Sequence, residues 1–411
     1  MQTRLLERFL RYVAVPSQSD PQQTSVPTTM GQRQLAELLQ EDLSKLGLID
    51  LEISEFSVLT GRLPANIAKD IPAVGFVAHL DTVNVNLSPV VKPKLVRDYD
   101  GNDICLNGEQ GIYLRVSEHP ELLKYKGQDI VFSDGTSVLG ADNKAAIANL
   151  LVALEILTTD KEREHGDIYV AFVPDEECGL RGAKKMDFSK FPVAFAYTID
   201  CCELGEIVYE TFNAGNAVIK IKGVSAHPMS AKGVMVNPIL AAMDFADLFD
   251  RSQTPECTEG QEGYIWVKGI QGNQSEATVN LDIRDHDKEK YEERKQTILT
   301  NVEKIKALYP RASFSCEIND TYGNIADAVT GDNRKCIDYI YTAMAELGIE
   351  PKTIAMRGGT DGSYISTQGI LTPNYFTGGH NFHSNCEFLP LPALEKSCQM
   401  TLKLIELIAK G

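Results

Sequence analysis

"IYVAFVPDEECGL", residues 168–180, runs an unbroken apolar stretch straight into three consecutive carboxylates, Asp175, Glu176 and Glu177. The stretch Ile168–Val173 has the look of a strand buried on both faces. Acids held side by side at the end of such a strand raise one another's pKa and repel unless something positive sits among them. The rest of the chain has to supply that counter-charge, or show that none is needed.

Outward from this turn, short apolar runs alternate with helical stretches: "AVGFVAHLDTV" (73–83), "AAIANLLVALEIL" (145–157), "DIYVAFV" (167–173) and "FAYTID" (195–200). The alternation predicts an α/β fold, a mixed and mostly parallel sheet flanked by helices, with functional groups gathering where strands run out into loops. Near Phe212 the character changes. A strand pattern in "NAVIKIKGV", a helix in "NPILAAMDFADLFD", strands in "GYIWVKGIQG" and "EATVNLDIRD", a long helix over 288–309 and a strand in "ASFSCEI" give the order β-α-β-β-α-β. That order is the signature of a ferredoxin-like α+β unit. The earlier alternation resumes after Gly323, through "NRKCIDYIYTAMAELGI" to a final helix, "PALEKSCQMTLKLIELIAK". One domain is therefore expected to be discontinuous, 1–212 and 324–411, with 213–323 inserted into it.

The bulk numbers narrow the function classes. A formal charge of −17 on 411 residues argues against a nucleic-acid or anionic-membrane surface, either of which needs a basic face, so small molecules or peptides are the expected partners. No run approaches the roughly 18 apolar residues of a membrane span. The opening "MQTRLLERFLRYV" spaces Leu5, Phe9 and Val13 as one face of a helix, with Arg4, Glu7, Arg8 and Arg11 breaking any signal-type apolar core. Nine cysteines, an odd number with no C-x-x-C pair, fit reduced thiols and a cytoplasmic setting.

Several residues could carry chemistry at the strand ends. In "FVAHLDTV", His79 and Asp81 project to the same side of an extended strand, as a core pair or as a metal-binding imidazole with the acid that orients it. Asp142 in "GADNKAA" precedes a long helix, as an N-cap or as a ligand. Neighbouring Glu176 and Glu177 aim in different directions, so one can bind an ion while the other faces its water. Asp200 ends another strand pattern, and His380 and His383 flank the Gly-rich "FTGGHNFHSNCEF"; spacing alone does not choose between them. Imidazoles mixed with carboxylates suit zinc, with manganese or cobalt as substitutes, and the set is large enough for two ions about 3.5–4 Å apart. Two further candidates lie in "GVSAHPMS" (His227) and "AMRGGTDGS" (Arg357), where an arginine at a glycine-rich turn can meet a carboxylate or tie a loop. No P-loop, G-x-S-x-G or His-Glu-x-x-His pattern is present, which removes the common nucleotide-binding, serine-hydrolase and single-zinc protease readings.

In order along the chain, "HLDTV", "GADNKAA", "PDEECG", "TID", "SAHP", "RGGTDGS" and "NFHS" resemble the co-catalytic zinc exopeptidases, a family that includes aminoacylases, carboxypeptidase G and peptidase T, and most closely its tripeptide-aminopeptidase branch. The resemblance implies two zinc ions per subunit, with His79 and Asp200 on one, Glu177 and His383 on the other, and Asp142 bridging. It further implies that Asp81 orients His79 and Glu176 is the general base. His227 would stabilise the oxyanion and Arg357 would hold the substrate carboxylate; Arg284 and Asn280 are further candidates for substrate contact. The implied activity is hydrolysis of the N-terminal peptide bond of short peptides, tripeptides above all, with the inserted unit serving as lid and homodimer contact. A dipeptidase, an N-acyl amino acid deacylase, and a non-catalytic peptide- or metal-binding protein are the alternatives.

Overall fold

The computed structural model describes residues 1–411, which divide into two compact units. The first comprises Met1–Tyr209, Val329–Ile354 and Thr360–Gly411; the second comprises Glu210–Ala328 and Ala355–Gly359.

In the first unit, α1 (Gln2–Val13) buries Leu5, Phe9, Tyr12 and Val13 at helical spacing, and α2 (Met30–Lys45) follows. Next come β1 (Ile49–Ile53), β2 (Leu59–Leu63), β3 (Val74–His79), β4 (Pro93–Val96), β5 (Ile104–Asn107), β6 (Ile112–Leu114) and β7 (Ile130–Ser133). Then α3 (Ala141–Thr159), β8 (Ile168–Val173), β9 (Phe195–Cys201) and β10 (Glu206–Thr211) lead to the second unit. That unit contains β11 (Asn213–Lys222), α4 (Pro238–Ala246), β12 (Tyr264–Gly272), β13 (Glu276–Asp285), α5 (Lys288–Leu308) and β14 (Ser313–Tyr322). The chain continues through α6 (Lys335–Glu346), β15 (Lys352–Met356), α7 (Asp361–Thr367), β16 (Asn374–Phe376), β17 (Phe388–Pro390) and α8 (Leu391–Lys410).

The main sheet has the order β1-β2-β8-β3-β9-β16-β10-β15. Its middle, β8-β3-β9-β16, is parallel, and the pairings of β1 with β2, β2 with β8 and β10 with β16 are antiparallel. Every residue of β3 is buried, which explains why its sequence shows no polar alternation. α3 is apolar around nearly its whole circumference because it is enclosed by protein, not laid on a surface.

Residues 84–137 carry structure that the apolar periodicity did not announce. A three-stranded sheet, β17-β7-β4, and the β5-β6 hairpin close over Tyr99, Leu106, Leu114, Leu122, Tyr125, Phe132 and Phe388. Strands of three or four residues hold too few positions for a period of two to register.

The second unit has the expected β-α-β-β-α-β order, in a four-stranded antiparallel sheet β12-β13-β11-β14. Alternate residues of β13 are buried, and Ile219, Ile221, Phe245, Val279, Leu281, Ile298, Val302 and Ile305 share its core. The unit runs slightly beyond 213–323 because side-chain amides clasp its two ends: Thr211 N–H donates to Asn324 Oδ1 (2.8 Å) and Asn324 N–H to Asn213 Oδ1 (3.1 Å). It also takes in the strip Ala355–Gly359, where Phe212 N–H bonds the Gly358 carbonyl at 3.2 Å and His286 Nε2 bonds the Met356 carbonyl at 3.1 Å. No helix is long and apolar enough to cross a membrane, and all nine cysteines are unpaired.

Candidate metal centre

Four adjacent parallel strands deliver most of the site. β3 and β8 end level, His79 opposite Val173, so the imidazole meets the acidic turn that follows β8. Asp200 sits near the end of β9, and the loop after β16 carries His383. These are the carboxyl ends of the strands, where sheets of this kind expose their loops.

His79 is 1% exposed, and both of its ring nitrogens are engaged. Nδ1 lies 3.0 Å from the Asp81 carbonyl and 3.3 Å from Asp81 Oδ1; Nε2 lies 2.9 Å from Asp142 Oδ1 and 3.5 Å from Asp200 Oδ1. The buried Asp81 carboxylate also accepts the N–H groups of Glu176 (3.0 Å) and Glu177 (3.2 Å). One acid thus fixes both the imidazole and the turn beside it.

Of the three consecutive acids, Asp175 belongs to the scaffold. Its carboxylate accepts from Thr28 N (2.8 Å), the Thr28 hydroxyl (2.5 Å) and Gln32 Nε2 (2.6 Å), while its own N–H donates to Gln32 Oε1 (2.8 Å). Burial pushes this carboxyl up, and its partners at Thr28 and Gln32 partly restrain the shift. With the turn pinned there, Glu176 and Glu177 are left facing the cluster.

Asp142 does not cap α3: the N-cap is Gly140, and Asp142 departs from helical geometry (φ −81°, ψ 98°) with no capping hydrogen bond. Its two oxygens instead face two imidazoles, Oδ1 toward His79 and Oδ2 toward His383 Nε2 at 3.1 Å. His383 Nε2 is also 2.9 Å from Glu177 Oε1, although the approach lies outside hydrogen-bond geometry and leaves that buried oxygen without a partner. Three overlapping donor sets result, His79/Asp142/Asp200, His79/Glu176/Glu177 and Asp142/Glu177/His383, with donor atoms within 4.8 Å of one another in each.

Protons alone satisfy this cluster badly. Burial, followed by the charge of Asp142, raises Glu177 to about 7 and Asp200 to about 6. Burial raises Glu176 well above its ordinary range. The hydrogen bond to Asp142 and the close Glu177 carboxylate push His383 up to about 11. His79 is raised too, against the effect of burial, by the acids around it, while Asp142, also against burial, is held low by the two imidazoles. Acids that resist ionising beside imidazoles that retain protons, together with a buried carboxylate oxygen that no hydrogen bond satisfies, match the donor chemistry of a nitrogen- and oxygen-lined cation site. The residues present fit divalent ions of the zinc type.

His380, which spacing could not separate from His383, lies outside the cluster. It is 3% exposed, stacked on Phe388 and bonded to the Tyr125 hydroxyl, and burial lowers it to about 4. Two acids went unnoticed in the sequence. Asp361, the first residue of α7, is 2% exposed with an unpartnered Oδ1; it stands in the same "RGGTDGS" that drew attention to Arg357. Glu387, 1% exposed, accepts the N–H groups of Leu139, Gly140 and Asp142; its signal was an acid embedded in the apolar "CEFLP".

The cluster is built wholly from the first unit, while His227, Arg357, Arg284 and Asn280 belong to the second. His227 is exposed, and its Nδ1 accepts the Met229 N–H at 3.2 Å. Arg357 ties a loop: it donates to the carbonyls of Gly260 (3.1 Å) and Glu262 (2.8 Å) and to the Thr258 hydroxyl (2.7 Å), and its guanidinium lies over the Phe212 and Tyr264 rings. Arg284 donates to the carbonyls of Gly215 (2.9 Å) and Ile283 (2.8 Å), with Asp282 at 3.6 Å. Asn280 is on β13, opposite Val218 and Gly269.

Residues 140–407 match the model of "Peptidase family M20/M25/M40". A "Peptidase T-like protein" of Yersinia pestis is 53% identical over 408 residues, 99% of this chain and 98% of the relative. "Peptidase T" of Caldanaerobacter subterraneus subsp. tengcongensis is 42% identical over 408 residues, 99% of each chain. Among solved structures, a tripeptidase from Staphylococcus aureus superposes with a TM-score of 0.77 at 23% identity, covering 100% of this chain and 99% of that one; the likeness extends over the whole fold.

Proposed function

The chain belongs to peptidase family M20/M25/M40, a family of metal-dependent peptidases, and from that premise we propose an aminopeptidase that removes the first residue of short peptides, tripeptides in particular, at a pair of zinc ions. The observation that carries this reading is Asp142, whose two oxygens face two imidazoles, each with a further acid beside it. His79, Asp142 and Asp200 would hold one ion, and Asp142, Glu177 and His383 the other. When bound, such a pair supplies Lewis acidity at the scissile carbonyl and lowers the pKa of water toward about 7.

The chain's own residues supply the rest. Asp81 holds His79 through Nδ1, so that Nε2 is turned toward Asp142 and Asp200. The same carboxylate sets the backbone of Glu176, which stands beside His79 and Glu177; in our reading Glu176 takes a proton from the attacking water and returns it to the departing amine. His227, Arg357, Arg284 and Asn280 are proposed for the peptide: His227 for the developing oxyanion, Arg357 for the C-terminal carboxylate, and Arg284 and Asn280 for the chain between. For Arg357 this requires it to exchange part of its present bonding to the 258–262 loop. We further place the enzyme in the cytoplasm, which suits nine unpaired cysteines, as a homodimer joined through the second unit.

Metal analysis followed by a panel of di-, tri- and tetrapeptides with free and with acylated N-termini tests the reading. Two zinc equivalents per chain and a preference for free-amine tripeptides, abolished by chelator and restored by zinc, are expected. A preference for acylated substrates would make the enzyme a deacylase instead, and zinc binding without cleavage of any of them would remove the catalytic role.

A further inference from the structure

We propose that Glu387 is a positioning residue that couples the two loops on which the paired ions depend. It follows His383 by four residues, on the loop that brings that imidazole to the cluster. Its carboxylate is 1% exposed and bonds no side chain; Oε2 accepts the N–H groups of Leu139 (2.6 Å) and Gly140 (2.8 Å), and Oε1 accepts that of Asp142 (3.1 Å). The bridging ligand and the His383 loop lie 245 residues apart in sequence at this bond, yet one carboxylate joins them.

The need for such a brace is local. Asp142 sits in a non-helical stretch inside the first turn of α3, where the helix cannot satisfy its N–H, and Gly140 has a left-handed φ of 78°. His383 itself has a φ of 60°, a conformation that residues other than glycine keep only when their surroundings hold them there. Nearby bonds pin the same loop from outside the cluster: Asn381 Nδ2 to Glu121 (2.9 Å), and His380 to the Tyr125 hydroxyl. Glu387 alone ties the loop to the backbone of Asp142. Charge-assisted hydrogen bonds from buried N–H groups are among the stronger ones a carboxylate makes, and three of them converge here.

Because it rests on the two-ion reading, the role is tested on metal binding rather than on turnover alone. In Glu387→Gln the single amide oxygen can keep Leu139 and Gly140, while the NH2 group faces the Asp142 N–H and breaks that one bond. Chelated protein titrated with Zn2+ against a competing chromophoric chelator should take the first ion almost as wild type does and the second about 10- to 100-fold more weakly. The visible spectrum of the Co2+ form should change in its second equivalent only, and Glu387→Asp should recover part of the affinity. Asp42→Asn, which removes a buried acid bonded to Arg11 and Tyr12, serves as the control for lost stability and should leave both affinities alone. Should Glu387→Gln fold poorly, hydrogen exchange on the wild type decides: the amides of Leu139, Gly140 and Asp142 should slow together as the second ion binds, and indifference of those amides to the ion would overturn the role. Wild-type affinities for both ions in Glu387→Gln would also overturn it, with the two-ion reading intact. A wild type that binds one ion, weakened in Glu387→Gln, would instead overturn the two-ion reading and leave the brace standing.

Discussion

Asp142 divides the site into two halves that are built differently. On the His79 side, the imidazole and Asp200 stand at the ends of neighbouring parallel strands, 1% and 10% exposed at their side chains, and Asp81 fixes the ring from behind. On the other side, His383 comes from a loop with left-handed backbone, and its side chain is 48% exposed. Sheet hydrogen bonds give the first half its geometry before any ion arrives. The second half takes its geometry from tertiary bonds reaching into a loop, so it has more to lose on mutation and more to gain on binding. An ion in the first half is therefore expected to bind tighter and to be retained longer during chelation.

The largest effect should come from a residue assigned as a ligand in neither half. Glu176→Gln keeps the shape of the side chain and removes its ability to take a proton, so both ions should remain while turnover falls by about 10^2- to 10^4-fold. Zinc content and single-turnover rates measure the two separately. Should the variant lose an ion, Glu176 is a ligand and the His79 half is larger than drawn.

A smaller loss of turnover is expected where one ion goes and the other stays. His383→Ala should bind a single zinc per chain, held by His79, Asp142 and Asp200, whereas Asp200→Ala should lose the ion on the deep side first. Zinc counted by atomic spectroscopy on each variant sharpens the comparison. If either substitution empties both positions together, the halves form one cooperative unit and the contrast drawn here is wrong.

The same contrast explains what could be read from the sequence. The His79 half was legible because strand ends leave local traces: a buried run, an imidazole and an acid two residues apart, and a run of acids. Residue spacing could not choose His383 over His380, since both stand in one glycine-rich loop and only packing against Phe388 and Tyr125 removes His380 to the core. Asp142 looked like a helix cap from its position, because the break in helical geometry at this residue leaves no local trace, and its N–H bonds Glu387, far away in sequence. Asp361 and Glu387 passed unnoticed for a related reason: a buried acid has no periodic signature, and its partners are backbone groups or charges far away in sequence. The inserted unit was legible as a succession of elements, yet its edges were not, because Asn213, Asn324 and the strip at 355–359 join it through tertiary hydrogen bonds.

The smallest expected effect is on stability, in protein stripped of metal. Glu177 and Asp200 are raised to about 7 and about 6 in the folded chain, from values near 4 when unfolded, so the native state holds their protons more tightly. Stability then falls as pH rises through that interval, since the unfolded chain binds fewer protons than the folded one. His383, raised to about 11, acts in the same direction higher up: its ion pairs with Asp142 and Glu177 contribute fully below about 6.5 and are lost progressively as pH climbs toward 11. Asp142 is held low and ionised throughout, so it adds no slope between pH 5 and pH 8. Chelated protein should accordingly melt several degrees lower at pH 8 than at pH 5. Zinc bound as proposed would displace these protons and bind more tightly as they leave, so the loaded protein should show the opposite trend or none. Melting curves at both pH values, with chelator and with zinc, measure the difference. In His383→Ala the decline above pH 7 should become shallower, with His79, which is raised as well, supplying what remains, while Asp200 keeps its part of the decline below pH 7.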